Sequence, residues 1–500
     1  MTHTLAQMSL WPDMHGMWGN ALFLADICLR VTMFVVVVSH RKRPVPTTQA
    51  WLVLVLVLPF VGSLLYLFFG EIRLGARRLK EYRTLTTEVE PLAIAKWWEQ
   101  KLTARSPFSR DGLFDPISRD ATALGGFPPL IGNRLELIGD TDELLRRVTK
   151  DIDQAQSFVQ MLYYIWMDGG LANDVVEALI RAARRGVDCK VLVDAMGSKA
   201  FINGDAPRRL REAGVRVHVA LPMGIFRSFV SRLDLRNHRK IAVIDGRCAY
   251  CGSQNLTDTT FHFRKRKHLG PWIDASVRVE GPAVQALTVT FLRDWAMEED
   301  SPVTLDERVL PGTPTPEDGA VVQVVPTGPR PDVAAMRESV LMALYAARQE
   351  VVITTPYFVP DEATMAALTS AARRGVATTV LVPRVIDSKI VALAAQSHFE
   401  ELIEAGVRVL WFHAGLLHSK AMTVDGAFSM IGSANLDMRS FWLNFEVTLF
   451  VYDQTFTGEL RALQEGYIQK SERIEITHWR KRPFAVRALE SVIRLFGGVL

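Results

Sequence analysis

Two stretches of this chain carry the same residue types at the same spacing, and this repetition constrains the fold more than any other feature. In the first, Asn237-His238-Arg239-Lys240 runs through the apolar residues Ile241 to Ile244 into Asp245-Gly246, and Gly252-Ser253-Gln254-Asn255 follows. In the second, Leu417-His418-Ser419-Lys420 runs through Ala421 to Val424 into Asp425-Gly426, and Gly432-Ser433-Ala434-Asn435 follows. The two histidines stand 180 residues apart. The repetition extends beyond them. Ala182 to Val187 (AARRGV) recurs at Ala371 to Val376, and Ala213 to Val217 (AGVRV) recurs at Ala405 to Val409, at offsets of 189 and 192. One such match is weak, because helix ends often read this way. Several matches in one order at nearly one offset mean that a single folding unit is present twice.

Each copy alternates apolar runs with amphipathic stretches. Val187 to Asp194, Ile241 to Ile244, Val351 to Thr354 and Thr378 to Val382 are predicted strands, and Leu171 to Arg185 and Glu362 to Arg374 are predicted helices ending before glycine. The expected fold class is α/β: two duplicated halves with mixed, largely parallel sheets, preceded by an N-terminal transmembrane helical hairpin. Ala50 to Gly70 holds 21 residues without a charge, enough to span roughly 30 Å as one helix, with Pro59 and Gly62 tolerated inside it. Met17 to Ser39 is a second span, carrying Asp26 and Arg30 on one helical face. The expected organisation is a two-helix anchor over 1–80, a lead-in over 81–134, and a first half over 135–300. A proline-rich linker over 301–317, a second half over 318–480 and an amphipathic C-terminal helix over 481–500 complete it. Basic clusters at Arg41 to Arg43 and Arg73 to Arg83 favour a cytoplasmic body.

This layout explains a hydrophobic share of 49% and a mean hydropathy of +0.11 in a chain of 500 residues. Net charge is +4, too small to argue for a nucleic-acid partner. Four cysteines exclude a disulfide framework. Cys248 and Cys251 read as structural, with no second pair to complete a zinc site. A lysine beside each histidine repels a cation, so no metal is expected, and no motif for a nucleotide cofactor is present in the sequence.

A lone His-x-Lys is a surface accident; two in a duplicated chain are a site. On a strand His and Lys share a face, and Gly-Ser-x-Asn brings a hydroxyl and an amide to the same point. Two copies facing each other surround one centre with donors suited to phosphoryl oxygens. One neutral imidazole can attack phosphorus while the other protonates the leaving alkoxide. The candidate catalytic set is His238, Lys240, Asp245, His418, Lys420 and Asp425, with the two aspartates read as strand-end supports more than direct participants. Ser253, Asn255, Ser433 and Asn435 are expected on phosphate. Asp274 and Glu446 are expected to orient the histidines, Asp274 with His238 and Glu446 with His418.

These motifs, together with Thr355 to Asp361 (TPYFVPD), Gly281 to Val284 and Asn435 to Ser440 (NLDMRS), make the chain resemble the bacterial cardiolipin synthases of the phospholipase D superfamily along nearly its whole length. The resemblance implies two α/β halves with the active site between them, no metal, His238 as nucleophile and His418 as acid and base. It implies transfer of a phosphatidyl group between two phosphatidylglycerol molecules, giving cardiolipin and glycerol at a bacterial inner membrane. Phosphatidylethanolamine is an alternative donor. A hydrolytic phospholipase D of the same fold and a non-enzymatic lipid-binding scaffold are the rival readings. Cys251 to Gln254 and Ile273 to Ser276 depart from the commoner family pattern, which touches the acceptor pocket rather than the essential residue types.

Overall fold

The computed structural model describes residues 17–39, 45–71, 112–222, 234–258, 269–299, 319–329 and 334–494, with 75, 78, 80 and 232 standing singly. They fall into an N-terminal unit and a body.

In the N-terminal unit, helix α1 (Met17–Ser39) is continuous, and its apolar stretch Gly19–Ser39 is long and apolar enough to cross a membrane. The second hydrophobic segment is not the single span expected. It forms α2 (Val45–Val57), a turn at Leu58 to Phe60, then α3 (Val61–Leu65) and a wider π-type turn over Tyr66–Gly70. Pro59 is the physical reason, since it lacks an N–H and its ring crowds the carbonyl one turn back. The break leaves Phe60 N–H and Leu56 C=O without each other. Asp26 and Arg30 of α1 take both: Phe60 N donates to Asp26 Oδ1 at 2.8 Å, and Arg30 Nη1 donates to Leu56 O at 2.6 Å. The two side chains are themselves ion-paired at 2.6 Å. Met33, Val37, Trp51, Val55 and Tyr66 pack around this clasp.

The body is built on one sheet. Its first-half strands are β1 (Leu130–Ile138), β2 (Phe158–Tyr163), β3 (Asp188–Asp194), β4 (Arg216–Ala220), β5 (Lys240–Ile244), β6 (Cys248–Gly252), β7 (Trp272–Ile273) and β8 (Ser276–Glu280). Those of the second half are β9 (Ala320–Thr327), β10 (Glu350–Thr354), β11 (Phe358–Val359), β12 (Ala377–Pro383), β13 (Arg408–Phe412), β14 (Leu416–Leu417), β15 (Ala421–Val424), β16 (Phe428–Gly432), β17 (Leu436–Asp437), β18 (Glu446–Val451) and β19 (Ser471–Arg473). The main sheet runs β19-β13-β12-β10-β15-β16-β18-β9-β1-β8-β6-β5-β2-β3-β4. Read outward from the β9–β1 pairing, the two halves repeat one order, so a pseudo-twofold axis passes through that seam.

The expected direction of the sheet is corrected. Only β2-β3-β4 and β10-β12-β13 are parallel, and the other pairings of the main sheet are antiparallel. The crossover helices that signal parallel strands exist, at Gly170–Arg184 and Glu362–Arg373. They serve only the outer strands. The motif strands β5 and β15 instead turn back at Asp245-Gly246 and Asp425-Gly426, where both residues of each pair have positive φ, from 51° to 64°. That is the hairpin turn geometry Asp-Gly favours.

The halves are not separate domains. One apolar core joins Val277, Leu287 and Phe291 of the first half to Val322, Ile431 and Leu449 of the second. The expected lead-in also belongs to the body in part: helix Asp115–Ala123 places Ile117 and Ala121 in the core of the second half, beside Val325 and Val340. The linker expected over 301–317 lies outside the described residues. The C-terminal helix Phe484–Arg494 has two faces. Glu490 is buried against Arg482, at 3.0 Å between Oε2 and Nη2, while Phe484, Leu489 and Val492 are exposed.

Candidate active site

Both motif histidines lie just ahead of their strands, His238 before β5 and His418 before β15, and each is buried. Their backbones are pinned across the pseudo-axis. His238 N donates to Phe445 O at 2.9 Å, and His418 N donates to Ile273 O at 2.7 Å. Strand β14 pairs with β7 in parallel, Leu416 opposite Trp272 and Leu417 opposite Ile273, and Asn237 bridges to Phe445. Each half therefore lays its motif against the segment that carries the other half's carboxylate.

The histidine–carboxylate pairing is crossed, contrary to the sequence expectation. His238 Nδ1 lies 2.9 and 3.0 Å from the Glu446 carboxylate oxygens, and His418 Nδ1 lies 2.7 Å from Asp274 Oδ1. The expected pairs, His238 with Asp274 and His418 with Glu446, followed chain order; strand crossing at the axis exchanges them. The two serines turn to the same carboxylates. Ser253 Oγ donates to Asp274 at 2.5 Å and Ser433 Oγ donates to Glu446 at 2.6 Å. A hydroxyl has one hydrogen, and here it is given to a carboxylate rather than held for a phosphate oxygen. Glu446 also accepts from Ser440 Oγ at 2.9 Å and from Asn444 Nδ2 at 3.2 Å.

Asn255 and Asn435 sit beside the motifs. Asn255 Oδ1 accepts from Ile165 N at 3.1 Å, while its Nδ2 and the Oδ1 of Asn435 are buried without a protein partner. Lys240 Nζ and Lys420 Nζ both donate to their own histidine's carbonyl, at 2.5 and 2.6 Å. Asp245 and Asp425 stand apart from this cluster, at the strand ends where supports are expected. Each lies at the far end of its strand, roughly 16 Å along the chain from the lysine. Asp245 accepts from the N–H groups of Gln156, Ser157 and Phe158 at 2.8–2.9 Å, and Asp425 from Arg348, Gln349 and Glu350 at 2.7–2.9 Å.

The electrostatics follow from burial. Desolvation, opposed by Glu446 and reinforced by Lys240, pulls His238 from 6.5 to about 4, and the same balance with Asp274 and Lys420 brings His418 to about 4. Each histidine also feels the other half's lysine, so the four basic groups share one centre. Burial pushes Asp274 upward, but His418, Lys420 and Ser253 outweigh it and leave it at about 2; Glu446 is lowered against the same burial by His238, Lys240 and Ser433. Burial takes Lys240 down to about 7, and takes Lys420 well below its ordinary value. With both carboxylates ionised, each Nδ1 must carry the shared hydrogen, which leaves each Nε2 with its lone pair.

Sequence reasoning missed Arg239, Asp294, Tyr164 and Trp272. Arg239 lies between His238 and Lys240, so on an extended backbone it points the other way. It donates to Glu446 O at 2.9 Å and Thr327 O at 2.8 Å and pairs with buried Asp294, which also accepts from Asn237 Nδ2 at 2.7 Å. An acid within the largely apolar run Ala283 to Met297 was the available signal for Asp294. Tyr164 packs edge-on to His238, and Trp272 lies over His418.

A duplicated α/β body with paired His-Lys motifs on its pseudo-axis defines a phospholipase D-like protein. The family described as "Cardiolipin synthase, PLD-like domain" matches residues 148–295 and 340–466, and "Phospholipase_D-nuclease N-terminal" matches 29–71. Cardiolipin synthase A of Proteus mirabilis is 39% identical over 484 residues, covering 96% of each chain. Cardiolipin synthase A of Edwardsiella ictaluri is 38% identical over 499 residues, covering 98% of each. The solved structure of a phosphatidylserine synthase from Haemophilus influenzae shares the fold, with a TM-score of 0.58 and 15% identity over 77% of this chain and all of that one. The chain belongs to the cardiolipin synthase family of phospholipase D-like proteins.

Proposed function

We propose that this protein is a cardiolipin synthase that transfers a phosphatidyl group from one phosphatidylglycerol to another. The observation that carries the reading is the pair of crossed histidine–carboxylate contacts on the pseudo-axis, each with a lysine beside it, in a chain 39% identical to a cardiolipin synthase over its length. His238 Nε2 attacks the donor phosphorus. The bond from phosphorus to the glycerol oxygen breaks, and His418, protonated at Nε2 beside the bound phosphate anion, gives its proton to that oxygen. Glycerol leaves a phosphatidyl-His238. His418, now neutral, takes the proton from a glycerol hydroxyl of the second lipid, that oxygen attacks phosphorus, and the phosphorus–nitrogen bond breaks. Two phosphatidylglycerols become one cardiolipin and one glycerol. Lys240, Lys420, Asn255 and Asn435 hold the phosphoryl oxygens; Glu446 keeps His238 in the tautomer with Nε2 free, and Asp274, bonded to Nδ1, orients His418 and stabilises the imidazolium that donates from Nε2.

The body works at the cytoplasmic face of a bacterial inner membrane. Helix α1 crosses the bilayer, and the clasped second segment completes the anchor. The exposed apolar face of Phe484–Arg494 suits an interfacial position. The test is purified protein with phosphatidylglycerol vesicles and no other lipid. Cardiolipin and glycerol in equal amounts are expected; phosphatidic acid as the main product sinks the synthase reading. His238→Ala should abolish turnover and the acid-labile phospho-enzyme together.

A further inference from the structure

In a duplicated scaffold, the places beside the histidines where the pseudo-symmetry fails are where two different lipids can be told apart. It fails on the His238 side. The Tyr164 ring stands edge-on to His238 with centroids 4.8 Å apart, and Lys240 Nζ lies 5.3 Å from the same ring. His418 instead faces Trp272, with centroids 4.4 Å apart and the rings tilted by 30°. Arg236, buried, precedes His238 by two residues; at the matching place before His418 the second half has Leu416, an apolar residue paired to Trp272. Arg439 adds a second cation from the short helix Met438–Trp442. Tyr357 completes the group, its hydroxyl donating to Asp387 Oδ1 at 2.8 Å, which leaves its oxygen as an acceptor.

The charges converge on the Tyr164 hydroxyl. Burial raises it to about 12; Asp194 and Asp387 push it further up, while Arg236 and Arg439 pull it down. The two arginines are held at neighbouring points of one segment, since Arg439 O accepts from Asn444 N and Arg236 O from Phe445 N, both at 2.9 Å. Burial raises Asp194; Arg236 and the N–H groups of Met196, Gly197 and Asn237, which hold its carboxylate, oppose that shift.

We propose that Arg236, Arg439 and Tyr164 form a second anion subsite, which binds the intact phosphodiester of the lipid that supplies the attacking hydroxyl. The inference rests on the synthase reading and deepens it. In that reaction the acceptor is itself a glycerol phosphodiester. When its terminal oxygen reaches the donor phosphorus, its own phosphate lies one glycerol away, and two anions must be held close together. Guanidinium groups bind a phosphodiester through paired N–H donors and offset that repulsion. An enzyme whose acceptor is water has no second anion to hold. The Tyr357 oxygen, oriented by Asp387, suits the remaining glycerol hydroxyl.

Two measurements on the full-length protein test it. With phosphatidylglycerol vesicles, Arg439→Gln should lower the ratio of cardiolipin to phosphatidic acid about tenfold or more, and Arg439→Lys should restore part of it, as expected for a charge that contacts the acceptor. With wild-type protein and soluble acceptors at equal concentration, glycerophosphoglycerol should be used about tenfold more than glycerol. An unchanged product ratio in Arg439→Gln, even with lower total turnover, overturns the subsite, as does equal use of the two soluble acceptors. Wild-type protein that makes no cardiolipin at all overturns the synthase reading and this inference with it. Wild-type protein that makes cardiolipin but ignores the acceptor's phosphate overturns this inference alone.

Discussion

At the residue scale the site is a set of neutral bases held ready by ionised acids. Two pH dependences follow. His238 and His418 each fall from 6.5 to about 4 in the folded chain, so between those values the unfolded chain binds more protons. Stability therefore rises with pH across that window and is lost as pH falls through it. Asp274, lowered from 3.8 to about 2, extends the same slope downward. Denaturant midpoints between about pH 4 and 7 should climb, and a flat profile there would contradict the burial of the two imidazoles. Lys240, brought to about 7, acts in the other direction on activity: as pH rises through about 7 its ammonium loses a proton and the phosphate clamp weakens, so kcat/KM should decline above neutrality. The aspartates of the motifs behave differently. Asp425→Ala strips the acceptor from three backbone N–H groups at a residue with φ of 51°, and should cost about 2–4 kcal/mol in thermal or chemical unfolding. Asp425→Asn, which keeps one acceptor oxygen, should cost less. The motif residues were legible in the sequence because chemistry demands the same types twice at one spacing. Which acid serves which histidine was not, since Asp274 and Glu446 reach their partners through pairings between distant segments that leave no local pattern.

At the element scale, helix and strand positions were readable to within a residue or two. The strands predicted at Val187 to Asp194 and Thr378 to Val382 are Asp188–Asp194 and Ala377–Pro383. AARRG marks a helix end in both halves because Gly186 and Gly375 each have φ of 90°, where a side chain is strained. The sheet's direction is not legible in the sequence because the crossover helices are conspicuous, while Asp-Gly between β5 and β6 marks a turn without naming the strands it joins. In the N-terminal unit, Asp26 and Arg30 looked like an expensive pair to bury in lipid. The structure gives them the hydrogen bond that Pro59 disrupts. Asp26→Ala would leave Arg30 and Phe60 N–H without that carboxylate, and should lower stability in detergent by about 3 kcal/mol or more. Asp26→Asn should be milder, and thermal aggregation midpoints of the two variants would separate the cases. Equal midpoints for wild type and Asp26→Ala would show that the clasp contributes nothing.

At the scale of the whole molecule, the duplication is stronger than a tandem pair of domains. The sheet continues across the β9–β1 seam, with a register shift between Leu130 and Asn133, and one core crosses it. A protease site placed within 301–317 should therefore leave the cut chain associated and active, with both fragments eluting together in gel filtration. Fragments that separate on cutting would show that the seam does not hold unaided. Composition had pointed to two cores and an anchor; what it could not show was that the two cores fuse, since fusion depends on which strands lie at the edges of each half.

The crossed carboxylates have a consequence for the chain before folding is complete. A half that has formed its own sheet holds a histidine whose orienting acid is still elsewhere, in a segment not yet docked. Neither imidazole is aligned until both halves meet, so a chain part-way through folding near a membrane carries no armed nucleophile. Activity in this architecture is a certificate of finished assembly, issued only when each copy has received from the other the one group it cannot supply for itself.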